Sequence, residues 1–343
     1  MMGTIINSTN PYAFRILMGF ILLCLIAPLS LACTDSRETI PVNDAGLTIY
    51  SSINPQLIAP VIQDYAESAA VEVFVRYTDS SELASIIENE GKKTLADVLL
   101  AQHASTAVSL EAALAKVPEN ISRDIPSWAK SNDSDWVGIF GRYQIVAYNR
   151  SVLTRDEVPS RLSEIIEARW GQQVGIPSQN ILFQAMLSTA LSVWGDQRME
   201  EWLSSFRANQ PRIYKGNSEI LDALKSDEIA VAIMDNASFF RLGNYESESS
   251  NIGFRVFKLG DPGAALQVST AAIVKGSKKK DNAHGFIQFL LSRETQAYFD
   301  TENFVYPIIN PHSEVVTYPP ASFDHLGKLK TTQKLLRNAG MIR

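Results

Sequence analysis

The sequence predicts an α/β protein of two lobes, built on mostly parallel sheets, with a ligand cleft between the lobes and a hinge of two crossing β passages. Three observations predict this. Strand-like and helix-like stretches alternate from residue 47 onward, as in a parallel sheet covered by helices. Two unusually long extended stretches, WVGIFGRYQIVAYN (136–149) and AALQVSTAAIVKG (264–276), interrupt that alternation. At 343 residues the chain also exceeds what one ordinary core fills.

The first lobe opens on LTIYSSI (47–53), followed by Asn54 and Pro55, a cap and first-turn pair. Leu57, Ile58, Val61, Ile62 and Tyr65 then share one helical face, with Pro60 expected to kink or delay that helix. VEVFVRY (71–77) is the next strand, Asp79 with Glu82 forms a capping box, and ADVLLAQ (96–102) is the third strand. In the second lobe, QVGIP (173–177) precedes Ser178, Gln179 and Asn180 and a helix with Leu182, Phe183, Met186 and Leu187 at helical spacing. Asn217 is expected to cap a helix burying Ile220, Leu221 and Leu224. The strand AVAIM (230–234) ends in Asp235, Asn236, Ala237 and Ser238. HGFIQFLLSRETQAYF (284–299) is helical. The expected division is 46–141 with 265–305 in lobe 1, and 142–264 with 306–343 in lobe 2.

Apolar content of 45% and charged content of 20% are those of a globular protein. The net charge of −6 disfavours nucleic acid and anionic membrane as partners. At the amino terminus Arg15 is followed by 17 uncharged residues (16–32) and then Cys33. That pattern predicts a signal peptide over 1–32, an exported body, and a polar tether over 33–45. Cys33, with Leu31 and Ala32 before it, resembles a bacterial lipidation site; cleavage after Ala32 without lipid and an uncleaved anchor are the alternatives. Beyond Cys24 and Cys33 there is no cysteine, so the body forms no internal disulfide.

Polar residues follow one strand end after another: Ser52 and Asn54, Gln102, Ser178 and Asn180, then Asp235, Asn236 and Ser238, with Asn217 at a helix start. Helix N-termini carry unpaired N–H groups, so several facing one cleft bind an anion or a polar molecule; each position is equally explained as a cap. Arg142, within the first crossing passage, is either a ligand-binding or an interlobe structural arginine. Of the four histidines only His103 follows a strand end, and none forms a zinc-binding pair. No nucleophile elbow, Walker loop, dinucleotide fingerprint or assignable pair of acid–base carboxylates is present, which argues against an enzyme and assigns no catalytic residue, metal or cofactor.

In order and spacing LTIYSS, ADVLLAQ, DWVGIFGRYQIVAYN, EIAVAIM, DPGAALQVSTAAIVKGS, FIQFLLSRETQAYF, VYPIINP and LLRNAGM resemble the substrate-binding proteins of ABC importers, nearest to the ferric-iron-binding periplasmic group. The resemblance spans about residues 46–341. It implies a two-lobed type II periplasmic-binding-protein fold and a monomer in the periplasm or on the outer face of a bacterial membrane. It also implies delivery of the solute to permease subunits with a cytoplasmic ATPase. The group's iron ligands do not carry over: Ala237 and Ser238 stand where two tyrosines are expected, Asn54 at the histidine and Gln102 at the glutamate. Ferric iron favours anionic oxygen donors, which this set lacks. Asn217 matches an asparagine of the group's anion site, Asp235 replaces another, and residues 178–180 replace a Ser-Gly turn. The expected ligand is therefore a small polar solute or oxyanion. Ferric binding through other tyrosines, such as Tyr143 or Tyr50, and ligand sensing by a lipoprotein are the alternatives.

Overall fold

The computed structural model describes residues 46–242, 251–309 and 328–342. The signal segment, Cys33 and the tether lie outside the described residues. In the first half run β1 (Leu47–Ser51), α1 (Pro55–Ala69), β2 (Val73–Tyr77), α2 (Ser80–Glu90), β3 (Val98–Ala101), α3 (Ala104–Ser109), β4 (Leu114–Ala115), α4 (Glu119–Ser122) and β5 (Val137–Arg142). There follow β6 (Gln144–Asn149), β7 (Val174–Ile176), α5 (Ile181–Trp194), α6 (Asp196–Ala208), β8 (Arg212–Ile213), α7 (Asn217–Lys225), β9 (Val231–Asp235), α8 (Asn236–Leu242) and β10 (Ile252–Val256). The last elements are β11 (Gln267–Val274), α9 (Lys280–Leu290), α10 (Arg293–Thr301), β12 (Tyr306–Pro307) and α11 (Leu329–Asn338).

These strands form two sheets, one in the order β12-β5-β11-β3-β1-β2 with β4 beside β11, the other β10-β6-β9-β7-β8. The sheets are mixed, not mostly parallel. Only β2, β1 and β3 run parallel in the first, and only β8, β7 and β9 in the second. The crossing strands cause the difference. β5 leaves the first sheet, β11 returns to it, and the two therefore pair antiparallel with each other, as β6 does with β9. Tyr306 and Pro307 pair with Gly141 and Phe140 of β5. That sets them in the first sheet, whereas the sequence division assigned residues from 306 onward to the second lobe; α11 does pack on α5.

Each sheet has its own apolar core. β1 and β3 bury both faces, as strands between helix layers do, and Ile49, Leu100, Ile58, Phe286 and Phe299 share one cluster. In β6 the side chains alternate: Val146 and Tyr148 join Phe183, Met186 and Trp202 on one face, while Ile145 and Ala147 join Ile220, Leu224 and Met234 on the other. Asn54 caps α1 through Gln56 N, and the helix runs on through the exposed Pro60. Asp79 caps α2 by accepting from Ser81 N and Glu82 N, but the carboxylate of Glu82 takes its hydrogen bond from Thr78 Oγ1, so the box is only half formed.

The chain changes sheets at Tyr143, between β5 and β6, and returns through residues 257–266 to β11. Leu266 lies tightly over Gly141, where a Cβ would sit 2.6 Å from its methyl carbon, so any larger residue would displace the buried Leu266 where the two crossings meet. Asn236 ties the same place together. Its Oδ1 accepts from Tyr143 N (3.0 Å) and its Nδ2 donates to the carbonyl of Phe304 (2.6 Å), just before β12.

Candidate functional site

Strand ends from both sheets converge beside this crossing. At the end of β3, the backbone N–H of Gln102 donates to Ser52 Oγ (3.0 Å), which also accepts from Ser80 Oγ (3.1 Å). With the Gln102 amide oriented to donate to the carbonyl of Ser52 (2.8 Å), its oxygen accepts from Arg142 Nη2 (3.2 Å). Arg142 ends β5 and is only 5% exposed, yet its Nε–H has no protein partner. Burial lowers its pKa; Asp235 opposes that effect, and a second cation, Arg241, adds to it.

Asp235 ends β9 and pairs in register with Gln144, the first residue of β6. Its Oδ2 accepts from Asn217 Nδ2 (2.5 Å) and its Oδ1 from Ser238 N (2.9 Å), so the carboxylate caps the start of α8. Asn217 is not the cap of α7. Gly216 occupies the cap position, and the Asn217 side chain crosses to Asp235 with its Oδ1 left unpartnered. The reason is reach: one residue inside the helix, an amide points along the strand ends instead of folding back on its own N–H groups.

Several expected site residues lie apart from this group or are otherwise engaged. Asn54 is exposed and caps α1. Asn180 caps α5 through Leu182 N and Phe183 N (2.8 and 3.2 Å). Ser178 is fully buried, and its hydroxyl donates to the carbonyl of Met341 (2.7 Å), holding the carboxyl-terminal segment. Asn236 uses both ends of its amide on the crossing. Ser52, Gln102, Arg142, Asn217, Asp235 and Ser238 do come together.

Three further residues complete the cluster. His103 is 3% exposed with both ring nitrogens unpartnered; burial and, secondarily, the charge of Arg142 push its pKa down to about 3, so the ring stays neutral. Gln144 and Gln267 are buried, with Oε1 and Nε2 respectively unpartnered, and Gln267 pairs in register with Arg142. Both glutamines begin crossing strands. A polar residue opening a buried apolar strand was the signal available for them in sequence. Tyr50 is buried in β1 with its hydroxyl on Glu90 (3.1 Å), and Tyr143, at the crossing, has its pKa raised to about 12, first by burial and then by Asp300. Both shifts make the phenol harder to deprotonate, and so a poorer ligand for a hard cation, than an ordinary tyrosine. Among the described residues no group of three or more His, Cys, Asp or Glu side chains converges.

A group of buried polar side chains at the carboxyl ends of strands from two sheets stands where open α/β folds bind their ligands. A family profile described as bacterial extracellular solute-binding protein matches residues 81–328. The chain belongs to this family. Its solute-binding fold superposes on iron-bound HitA from Pseudomonas aeruginosa with a TM-score of 0.76 at 25% identity, covering 86% of this chain and 99% of the other. The major ferric iron-binding protein of Neisseria meningitidis serogroup A is 25% identical over 87% of this chain and 93% of that protein. A thiamine-binding periplasmic protein of Salmonella typhimurium is 27% identical over 75% of this chain and 76% of that protein. The two-lobed fold and an extracytoplasmic solute-binding role follow from this membership.

Proposed function

We propose that this solute-binding protein captures a small polar solute or oxyanion among Ser52, Gln102, Arg142, Asn217, Asp235 and Ser238. It then delivers the solute, without catalysis, to ABC permease subunits driven by a cytoplasmic ATPase. The observation that carries the reading is the Arg142 guanidinium: buried, without an ion pair among the described residues, and with Nε–H unpartnered. A buried cation left in that state is costly, and a bound anion relieves the cost. The protein acts as a monomer, held at the membrane by lipid on Cys33.

Ferric iron is the second reading, favoured by the names of the relatives from Neisseria and Pseudomonas. Against it, Ala237 is wholly buried in the first sheet's core cluster and Ser238 offers only a hydroxyl. A thermal-shift screen across ferric citrate, phosphate, sulfate, organic acids, polyamines and sugar phosphates tests both. The expected result is a raised melting temperature with an anion and no visible charge-transfer band on titration with ferric citrate. A strong band at one equivalent would establish tyrosinate ligation and overturn the anion reading.

A further inference from the structure

The unpartnered atoms around Arg142 are of two kinds, and together they define more than an anion site. Donors without a partner are Arg142 Nε–H and Gln267 Nε2, which register places side by side on β5 and β11, and the neutral His103 ring adds one unpartnered donor and one unpartnered acceptor. Acceptors without a partner are Asn217 Oδ1 and Gln144 Oε1, and both belong to residues adjoining Asp235: one bonds its carboxylate, the other pairs with it across β6 and β9. Each of these five side chains is at least nine-tenths buried. One side of this group thus presents hydrogen for an oxyanion. The other presents a carboxylate and two amide oxygens, which only a hydrogen-bond donor satisfies.

Resting on the anion reading above, we propose that the ligand is an anion that also carries its own hydrogen-bond donor. Its oxyanion group sits on Arg142 and Gln267, and its hydroxyl or ammonium group sits on Asp235 and Asn217 Oδ1. The charge balance agrees. Arg241 adds a second cation beside Arg142, with Asp235 the opposing charge, so the position favours an anionic group. A fully deprotonated oxyanion would meet the Asp235 carboxylate as a like charge with no proton between them, and would leave both amide oxygens unpaired. Asp235 therefore acts as the selectivity element and Arg142 as the anchor. The donor has two chemical sources, the hydroxyl or amino group of a small organic acid and the P–OH of hydrogen phosphate.

Matched pairs of probes separate these sources. Calorimetric titration at neutral pH compares L-malate and L-aspartate with succinate, which lacks the donor, and inorganic phosphate with sulfate, which carries no proton. In at least one pair the donor-bearing member is expected to bind about tenfold or more tighter, the effect of one well-made hydrogen bond to a charged group. Preference within the organic set identifies an organic acid; preference for phosphate over sulfate identifies hydrogen phosphate. Asp235→Asn, whose amide offers a donor as well as an acceptor, is expected to shrink the discrimination to about twofold while keeping the anion bound. Arg142→Gln is expected to weaken every anion about thirtyfold or more. Melting curves of both variants confirm that they fold, and Asp235→Ser serves if the asparagine variant does not. Succinate and sulfate each binding as tightly as its donor-bearing partner, or discrimination unchanged in the Asp235 variant, overturns the proposal while leaving an anion site standing. If no anion binds while ferric citrate or thiamine does, the anion reading itself fails.

Discussion

His103 shows how far a single side chain can depart from the role its position advertises. It follows β3, where a polar residue would be expected to face solvent or ligand, yet burial and Arg142 hold it neutral, with a pKa of about 3 against an ordinary 6.5. Above 6.5 the ring is uncharged in both the folded and unfolded chain, so its burial adds no pH dependence. Between 6.5 and about 3 the unfolded chain binds a proton that the folded protein refuses. Stability therefore falls with pH across that window, by about 1.4 kcal/mol per unit. From pH 7.5 to pH 5 the loss assigned to this residue is about 2 kcal/mol. Urea unfolding of the wild type and His103→Gln at both pH values measures it: the variant should lose about 2 kcal/mol less on acidification. Equal losses would show that the ring reaches water or a partner in the folded state.

Among the elements, the carboxyl-terminal helix α11 is fastened to α5 by polar contacts as well as by Leu336. Ser178 Oγ donates to Met341 O (2.7 Å), Ser188 Oγ to Thr332 Oγ1 (3.0 Å), and Gln333 Nε2 to Gln184 Oε1 (2.9 Å). Ser178→Ala leaves the buried Met341 carbonyl without that donor, at a cost of about 1–3 kcal/mol. The variant is expected to melt earlier while binding the wild-type ligand with unchanged affinity, as calorimetry beside a melting curve would read. Reduced affinity at unchanged stability would return Ser178 to the binding cleft, where the sequence alone had put it. The residue after a buried strand looks the same in sequence whether a ligand or a distant carbonyl takes its hydroxyl.

For the whole molecule, the first crossing and the lead into β12 meet at Asn236, whose amide joins Tyr143 and Phe304. Asp235, which the proposed binding mode sets against the ligand, is its immediate neighbour, so the proposed binding turn is also the turn that fastens the first crossing. In the proposed binding mode, ligand contacts from Gln102 beside one sheet and Asp235 on the other favour whichever arrangement brings the two sheets together. Small-angle scattering with the tightest probe of the anion panel should therefore show a smaller radius of gyration than without it, and Arg142→Gln should show no change at the same probe concentration. An unaltered radius with saturating probe would mean that the pocket is already assembled.

Local pattern determined the elements. An unbroken apolar run set β6 between its two cores, the spacing of Leu57, Ile58, Val61, Ile62 and Tyr65 set the buried face of α1, and Asn54, Asp79 and Asn180 marked helix starts that the backbone takes up. These signals act within a turn or a strand, so they are complete in the sequence. Long-range pairing decided the rest. Whether strands ran parallel depended on which sheet β5 and β11 joined, and Tyr306 went to the first sheet because β5 offered it an open edge. The candidate site followed the same rule. Asn217 reads as a cap until a neighbouring strand brings Asp235 within reach, and Gln144 and Gln267 are ordinary strand residues until the crossing places them beside Arg142. A side chain's partner is settled by what the folded chain brings within about 3 Å, and no local pattern encodes that distance.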